Sequence, residues 1–179
     1  PLKTTPFVFE GRNKGQGRLF VTARYNGIPV LQREIELDLQ DMIYFYDHYI
    51  VEESGSEELP VNSEVNPVND ATKASREALY QSSSDEYVMF VHGWNAESWE
   101  KKRWAETTFK RLWWQGYKGR VGLFDWPCRV LPSLDVLVNY DRSDFLAWHS
   151  SSALSSVLKK LHFDEGLKIR ILAHSQGNV

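Results

Sequence analysis

One cysteine in 179 residues, Cys128, excludes an internal disulfide, and the five histidines are too scattered to complete a metal-ligand spacing with it. Disulfide scaffolds and zinc modules are therefore excluded. Long apolar runs are also missing. The longest, such as Tyr87 to Val91, are strand-sized, well short of the roughly 18 residues that would cross a bilayer, so no membrane span is expected. Charge of one sign is scarce: the formal net charge is -3. Fifteen basic and twelve acidic residues intersperse over 73–179, which is no nucleic-acid footprint. The chain opens at Pro1 without an initiator Met or a basic, apolar leader, so any targeting segment is expected outside it and compartment is not legible.

What is present is enough apolar material for a core. Hydrophobic residues make up 42% and aromatics 13%, with seven Trp, which argues for a globular chain. Its charge is uneven along the sequence. Residues 1–33 carry six Lys/Arg and one acidic residue, whereas 34–72 carry eleven acidic residues and no Lys/Arg. Within that acidic stretch, 52–70 combines Gly, Ser, Pro and Asn with few large apolar groups and reads as a linker. The expected organisation is a beta-rich domain over 1–51, the acidic linker 52–70, and a second domain over 71–179.

The first block alternates in strand fashion at Leu19, Val21, Ala23 and Tyr25, turns at Asn26-Gly27, and alternates again at Ile35, Leu37 and Leu39. Asp41 to Tyr49 is aromatic and reads as a short helix in preference to a strand. From Asp70 the pattern changes. A short helix (ATKASREALY) leads to a strand over 87–92, a helix over 97–115, a strand over 120–126, a helix over 143–161 and a strand over 168–173. In the first long helix Asn95 or Ser98 is the expected cap, with Glu97/Lys101 and Glu106/Lys110 as four-apart ion pairs. In the second, Leu146, Ala153, Leu154, Val157, Leu158 and Leu161 share one face. Strands alternating with helices at this spacing predict an α/β fold, a parallel sheet flanked by helices and preceded by a small antiparallel sheet.

Chemistry concentrates at strand ends. The last strand runs into Ala173-His174-Ser175-Gln176-Gly177, a small-x-Ser-x-Gly string. In a nucleophile elbow the chain reverses sharply, small flanking residues avoid clashes, and the serine is left exposed where amides favour developing negative charge. The bland reading of Ser175 is a helix cap. Earlier stands Val91-His92-Gly93-Trp94-Asn95, also at a strand end. Acyl transfer through a tetrahedral intermediate needs two amides aimed at one oxygen. The backbone N–H groups of Trp94 and Gln176 are the expected donors. Trp94 and Trp126 follow strand ends on this face and are expected to wall an apolar acyl pocket, whereas Trp99, Trp104, Trp113 and Trp114 read as packing anchors. Asp125 reads as structural. Asp141 and Arg142 read either as a local ion pair or as substrate-positioning groups.

FVHGWN (Phe90 to Asn95), LFDWP (Leu123 to Pro127), Tyr140-Asp141-Arg142 and ILAHSQGN (Ile171 to Asn178) occur in this order. On these motifs residues 87–179 resemble the alpha/beta-hydrolase superfamily, and within it a bacterial group of uncharacterised alpha/beta hydrolases. The resemblance implies a serine hydrolase with Ser175 as nucleophile and Trp94 and Gln176 as oxyanion donors. Such an enzyme would act on a small-molecule or lipid ester, esterase- or lipase-like, with no metal or organic cofactor. In the superfamily the acid and base follow the nucleophile, and four residues follow Ser175, so both are expected beyond Val179 and this chain alone is expected to be inactive. Among the histidines, His174 is expected to pack into the sheet and His92 to brace the loop, while His48, His149 and His162 read as packing or surface residues. The competing function is a non-catalytic interaction or surface module on the same fold. Oligomeric state is not legible.

Overall fold

A computed structural model describes residues 11, 13–54, 56, 58, 60–62, 66–67, 84–128, 130 and 136–179. The helix expected over ATKASREALY lies outside the described residues. The chain divides into two compact units, Pro1–Asp41 and Met42–Val179.

The first unit is a hairpin of β1 (Gly15–Tyr25) and β2 (Ile28–Leu39). Its turn is the predicted one. Asn26 and Gly27 have φ of 47° and 79°, the two successive left-handed residues that match the right-handed twist of a hairpin. Leu19 faces Ile35 and Gly17 faces Leu37 across the ladder, and a register irregularity between Ala23 and Arg24 precedes the turn.

The second unit begins earlier than the expected boundary. Met42–Phe45 is a 3-10 turn, and Asp47–Ile50 is a strand, β3, so the helix expected for 41–49 is confined to a single short turn. Residues 42–51, expected to belong with the N-terminal domain, instead fall in the second unit, in whose sheet β3 pairs parallel with the strand Arg120–Asp125. That sheet has the order β4-β3-β6-β5-β7, with β4 at Asn66–Pro67, β5 at Glu86–Val91, β6 at Arg120–Asp125 and β7 at Lys168–Ala173. Four strands are parallel and β4 runs antiparallel at one edge. The α/β fold with a separate small antiparallel sheet is the one expected.

Alternation along the strands divides the core into two layers. Tyr87, Met89, Val91 and Phe124 pack on one face with Leu146, Ala153 and Val157 of helix α2 (Val136–Lys159) and with Leu161 just past its end, four of the six predicted positions. Leu154 and Leu158, the other two, are partly buried against the same cluster. Phe90, Val121 and Leu123 face the other way, onto Tyr46 and onto Ala105 and Phe109 of helix α1 (Ser98–Trp114). Helix α2 starts seven residues before the expected Ser143. Ser150, which weakens its apolar pattern, is buried and donates its hydroxyl to Leu146 O at 2.7 Å, so no polar group is stranded. A π-helical turn, Lys160–Asp164, continues it. Among the described residues no helix is long and apolar enough to cross a membrane.

Candidate functional site

Strands β5 and β7 are direct neighbours, with Val91 opposite Ala173, so the loops that follow them leave the sheet side by side. His174 remains extended and its N–H continues the ladder to Val91 O at 3.0 Å. The chain then reverses at Ser175, whose φ of 51° places a non-glycine residue in the left-handed region. That conformation costs about 1–2 kcal/mol for an L side chain and persists because surrounding contacts fix it. Gly177 N–H donates to His174 O at 2.9 Å, and Asn178 Nδ2 donates to Ser175 O at 2.9 Å, closing a 3-10 turn over Ser175–Asn178. Ser175 is exposed. Gly177 is needed here for space: a Cβ on it would stand 2.5 Å from His92 O and 2.9 Å from Val91 O.

The loop after β5 touches this turn. A Cβ on Gly93 would meet Ser175 Cβ at 3.0 Å and His174 Nδ1 at 2.9 Å, so glycine brings backbone directly against the serine. Trp94 packs edge-on against Tyr140 at 5.2 Å, and the buried Gln176 side chain donates from Nε2 to Tyr140 O at 3.4 Å. Both expected donor residues therefore meet one residue of α2 and share one rim of the sheet. The Trp94 backbone N–H donates to no group among the described residues. Asn95, with φ of 56°, bends the loop toward α1. Glu97, not Asn95 or Ser98, is the residue that caps α1, and its N–H donates to the Glu100 carboxylate at 2.9 Å.

Beneath the loop lies a buried polar cluster. Asp125, at the end of β6, accepts Lys101 Nζ on Oδ1 at 2.7 Å and contacts His48 Nε2 through Oδ2 at 3.0 Å. His92 Nε2 lies 3.5 Å from Asp125 Oδ1 and 3.0 Å from Trp126 O, while its Nδ1 lies 2.8 Å from Gly93 O. Lys101 Nζ also donates to Trp126 O at 3.0 Å. Trp126 Nε1 donates to His92 O at 2.8 Å, and the two rings stack with centroids 5.1 Å apart. Burial opposes ionisation of Asp125, but hydrogen bonds from His48 and His92 and the Lys101 ammonium outweigh it and hold its pKa far below the ordinary carboxylate value. Burial pushes the His92 pKa below its ordinary value, with Lys101 acting in the same sense and Asp125 and Gly93 O in the other.

Several expected placements differ. Trp126 is 1% exposed. It borders a cavity of about 50 Å³ with Gln176 and Gly177, but its indole is locked under His92 and offers no open wall to a substrate. His174 is exposed and sits edge-on to Trp104 at 5.6 Å; it is not packed into the sheet. Trp99, Trp113 and Trp114 are exposed, so of the four expected anchors only Trp104 joins a core cluster. Arg142 pairs with Glu53 at 3.1 Å, a partner 89 residues away that adjacency to Asp141 could not reveal. Lys101 turns inward to Asp125 and leaves the expected pair with Glu97. Its signal was present: Lys101, Ala105 and Phe109 recur at helical spacing on the buried face of α1.

An exposed serine on a strained strand-to-turn reversal, at the end of a parallel strand with a glycine loop packed against it, defines the alpha/beta-hydrolase class. Residues 68–179 match the family described as alpha/beta hydrolase of unknown function (DUF900), and the chain belongs to that family. No curated protein and no solved structure matches the chain.

Proposed function

We propose that this protein is a serine hydrolase acting on small-molecule or lipid esters through an acyl-enzyme. The observation that carries the reading is Ser175 itself: exposed, held at φ 51°, and in contact with the Gly93 backbone of the neighbouring loop. In the proposed reaction Ser175 Oγ attacks the ester carbonyl carbon and gives its proton to a base. The carbonyl oxygen takes the negative charge and is stabilised by the Trp94 and Gln176 amides. Collapse expels the alcohol with a proton and leaves the acyl group on Ser175. Water then repeats the attack, the acid is released, and the serine is restored. The superfamily order puts acid and base after the nucleophile, so the reading assigns neither role to residues 1–179. Trp94, half-buried beside Tyr140, is the aromatic group best placed to border the acyl chain.

The test is hydrolysis of a panel of p-nitrophenyl esters of increasing acyl length by the full-length protein. Turnover is expected, and Ser175→Ala should lower it by about 10³-fold or more with the fold unchanged. Equal turnover by the Ser175→Ala variant would remove the assignment.

A further inference from the structure

The two proposed donors sit on loops that follow different strands. An oxyanion needs both N–H groups about 3 Å from one point, and a misplacement of about 1 Å costs on the order of 100-fold. Gly93, which lets one loop lie against Ser175, has no side chain with which to hold the peptide that follows it. The indole N–H of Trp94 is buried and has no protein partner among the described residues, and the same holds for Gln176 Oε1. Neither loop fixes its donor through those polar atoms.

What meets both residues is one turn of α2. The Tyr140 ring stands edge-on to the Trp94 ring, with centroids 5.2 Å apart and planes at 82°, a favourable aromatic arrangement. Gln176, 4% exposed, donates from Nε2 to Tyr140 O at 3.4 Å and to Asp144 Oδ1 at 3.5 Å. A carbonyl and a carboxylate oxygen only accept, so the Nε2 end must face them and the carboxamide has one orientation. Each bond is long and weak alone. Tyr140 and Asp144 lie four apart on one helix face, so the two act on the side chain together. Two residues beyond Tyr140, Arg142 pairs with Glu53 at 3.1 Å and anchors the same turn to the chain after β3.

We infer that turn 140–144 of α2 is a positioning element that sets the spacing of the two proposed oxyanion donors, the Tyr140 ring holding Trp94 and the Tyr140 carbonyl with Asp144 holding Gln176. This gives a common task to Tyr140 and Arg142, two members of a motif that the proposed reaction leaves without a role. Neither residue donates to the oxyanion; the turn acts through Trp94 and Gln176. Its catalytic consequence rests on the serine-hydrolase reading, whereas the coupling of positions 94 and 176 through the turn does not.

The experiment joins ester kinetics to NMR of the backbone amides in the full-length protein. Tyr140 is 43% exposed, so its side chain can be cut back with little loss of core. On p-nitrophenyl acetate, which offers the least chain to the Trp94 ring, Tyr140→Ala should lower kcat about 10- to 100-fold with KM within about threefold. Tyr140→Phe keeps the ring and should retain most of kcat. Gln176→Glu, of the same size, replaces the donor with a carboxylate facing Asp144 and should lower kcat to a similar extent. The double variant should fall short of the product of the two losses by at least about fivefold, because either change alone already releases the spacing. In the spectra, Gln176→Glu should shift the Trp94 amide resonance, and Tyr140→Ala the Gln176 amide resonance. Unchanged kcat in folded Tyr140→Ala, a Tyr140→Phe loss as large as the Tyr140→Ala loss, multiplicative losses in the double variant, or absent cross shifts overturn the proposal. If Tyr140→Ala does not fold, Gln176→Glu and its shift at Trp94 decide. Cross shifts in a protein whose Ser175 takes no fluorophosphonate refute the hydrolase reading alone.

Discussion

At Gly177 a single hydrogen separates a formed elbow from a clash. Gly177→Ala places a methyl group 2.5 Å from His92 O, which is backbone and cannot swing aside. The expected result is a loss of about 1–3 kcal/mol in urea unfolding together with a fall in the proposed esterase activity, since the displaced strand end carries the Gly93 loop. Asp125 supplies a second prediction. Its pKa in the fold is depressed below the ordinary 3.8 despite burial, through His48, His92 and Lys101. A carboxylate depressed on folding stabilises fully above its unfolded pKa, and that contribution is lost as pH falls through the folded value. Urea melts of the wild type should therefore lose stability progressively below about pH 4. Asp125→Asn should be weaker at pH 7 and flatter across the acid range; an unchanged acid limb would show that the cluster carries no charge linkage. Ser175 was legible at this scale because elbow chemistry demands small neighbours in adjacent sequence. The Asp125 cluster was not, since its members come from β3, the loop after β5, the end of β6 and α1 and meet only through the sheet order.

Among the elements, the hairpin was read most fully, because its determinants are local: alternation and an Asn-Gly turn. Gly27 has φ of 79°, where a β-branched side chain is strained, so Gly27→Val should cost the hairpin about 1–2 kcal/mol. Hydrogen exchange should show faster amide exchange across β1 and β2 and unchanged protection in β5 and β7. Slowed or unchanged exchange in the hairpin would contradict the turn assignment. The sequence places helix α1 within a residue at each end, but its Lys101 reads as half of a surface pair because a lysine on an apolar stripe looks solvated until its buried carboxylate is known. The short strand β3 reads as helix from sequence for a related reason. Four residues of a parallel strand carry little period of their own, and their identity comes from pairing with β6 more than 70 residues downstream.

At the scale of the whole molecule the parallel fold followed from the strand-helix-strand rhythm, whereas the boundary between units did not. Composition changes at the acidic stretch 52–70, but packing changes at Asp41, because Tyr46 and Val51, both 2% exposed, belong to the second core. Deleting residues 1–41 should leave a cooperative melt of the second unit. Deleting 1–51 removes β3, Tyr46 and the His48 contact to Asp125, and should abolish cooperativity or lower the midpoint sharply. Equal melts for the two truncations would place the boundary where composition puts it. The functional claim, in turn, concentrates on one hydroxyl. Treating the folded full-length protein with a fluorophosphonate and locating the adduct by mass spectrometry tests it directly. The account predicts a single adduct on Ser175, absent from Ser175→Ala; a folded protein that takes no label, or takes it equally without that serine, contradicts it.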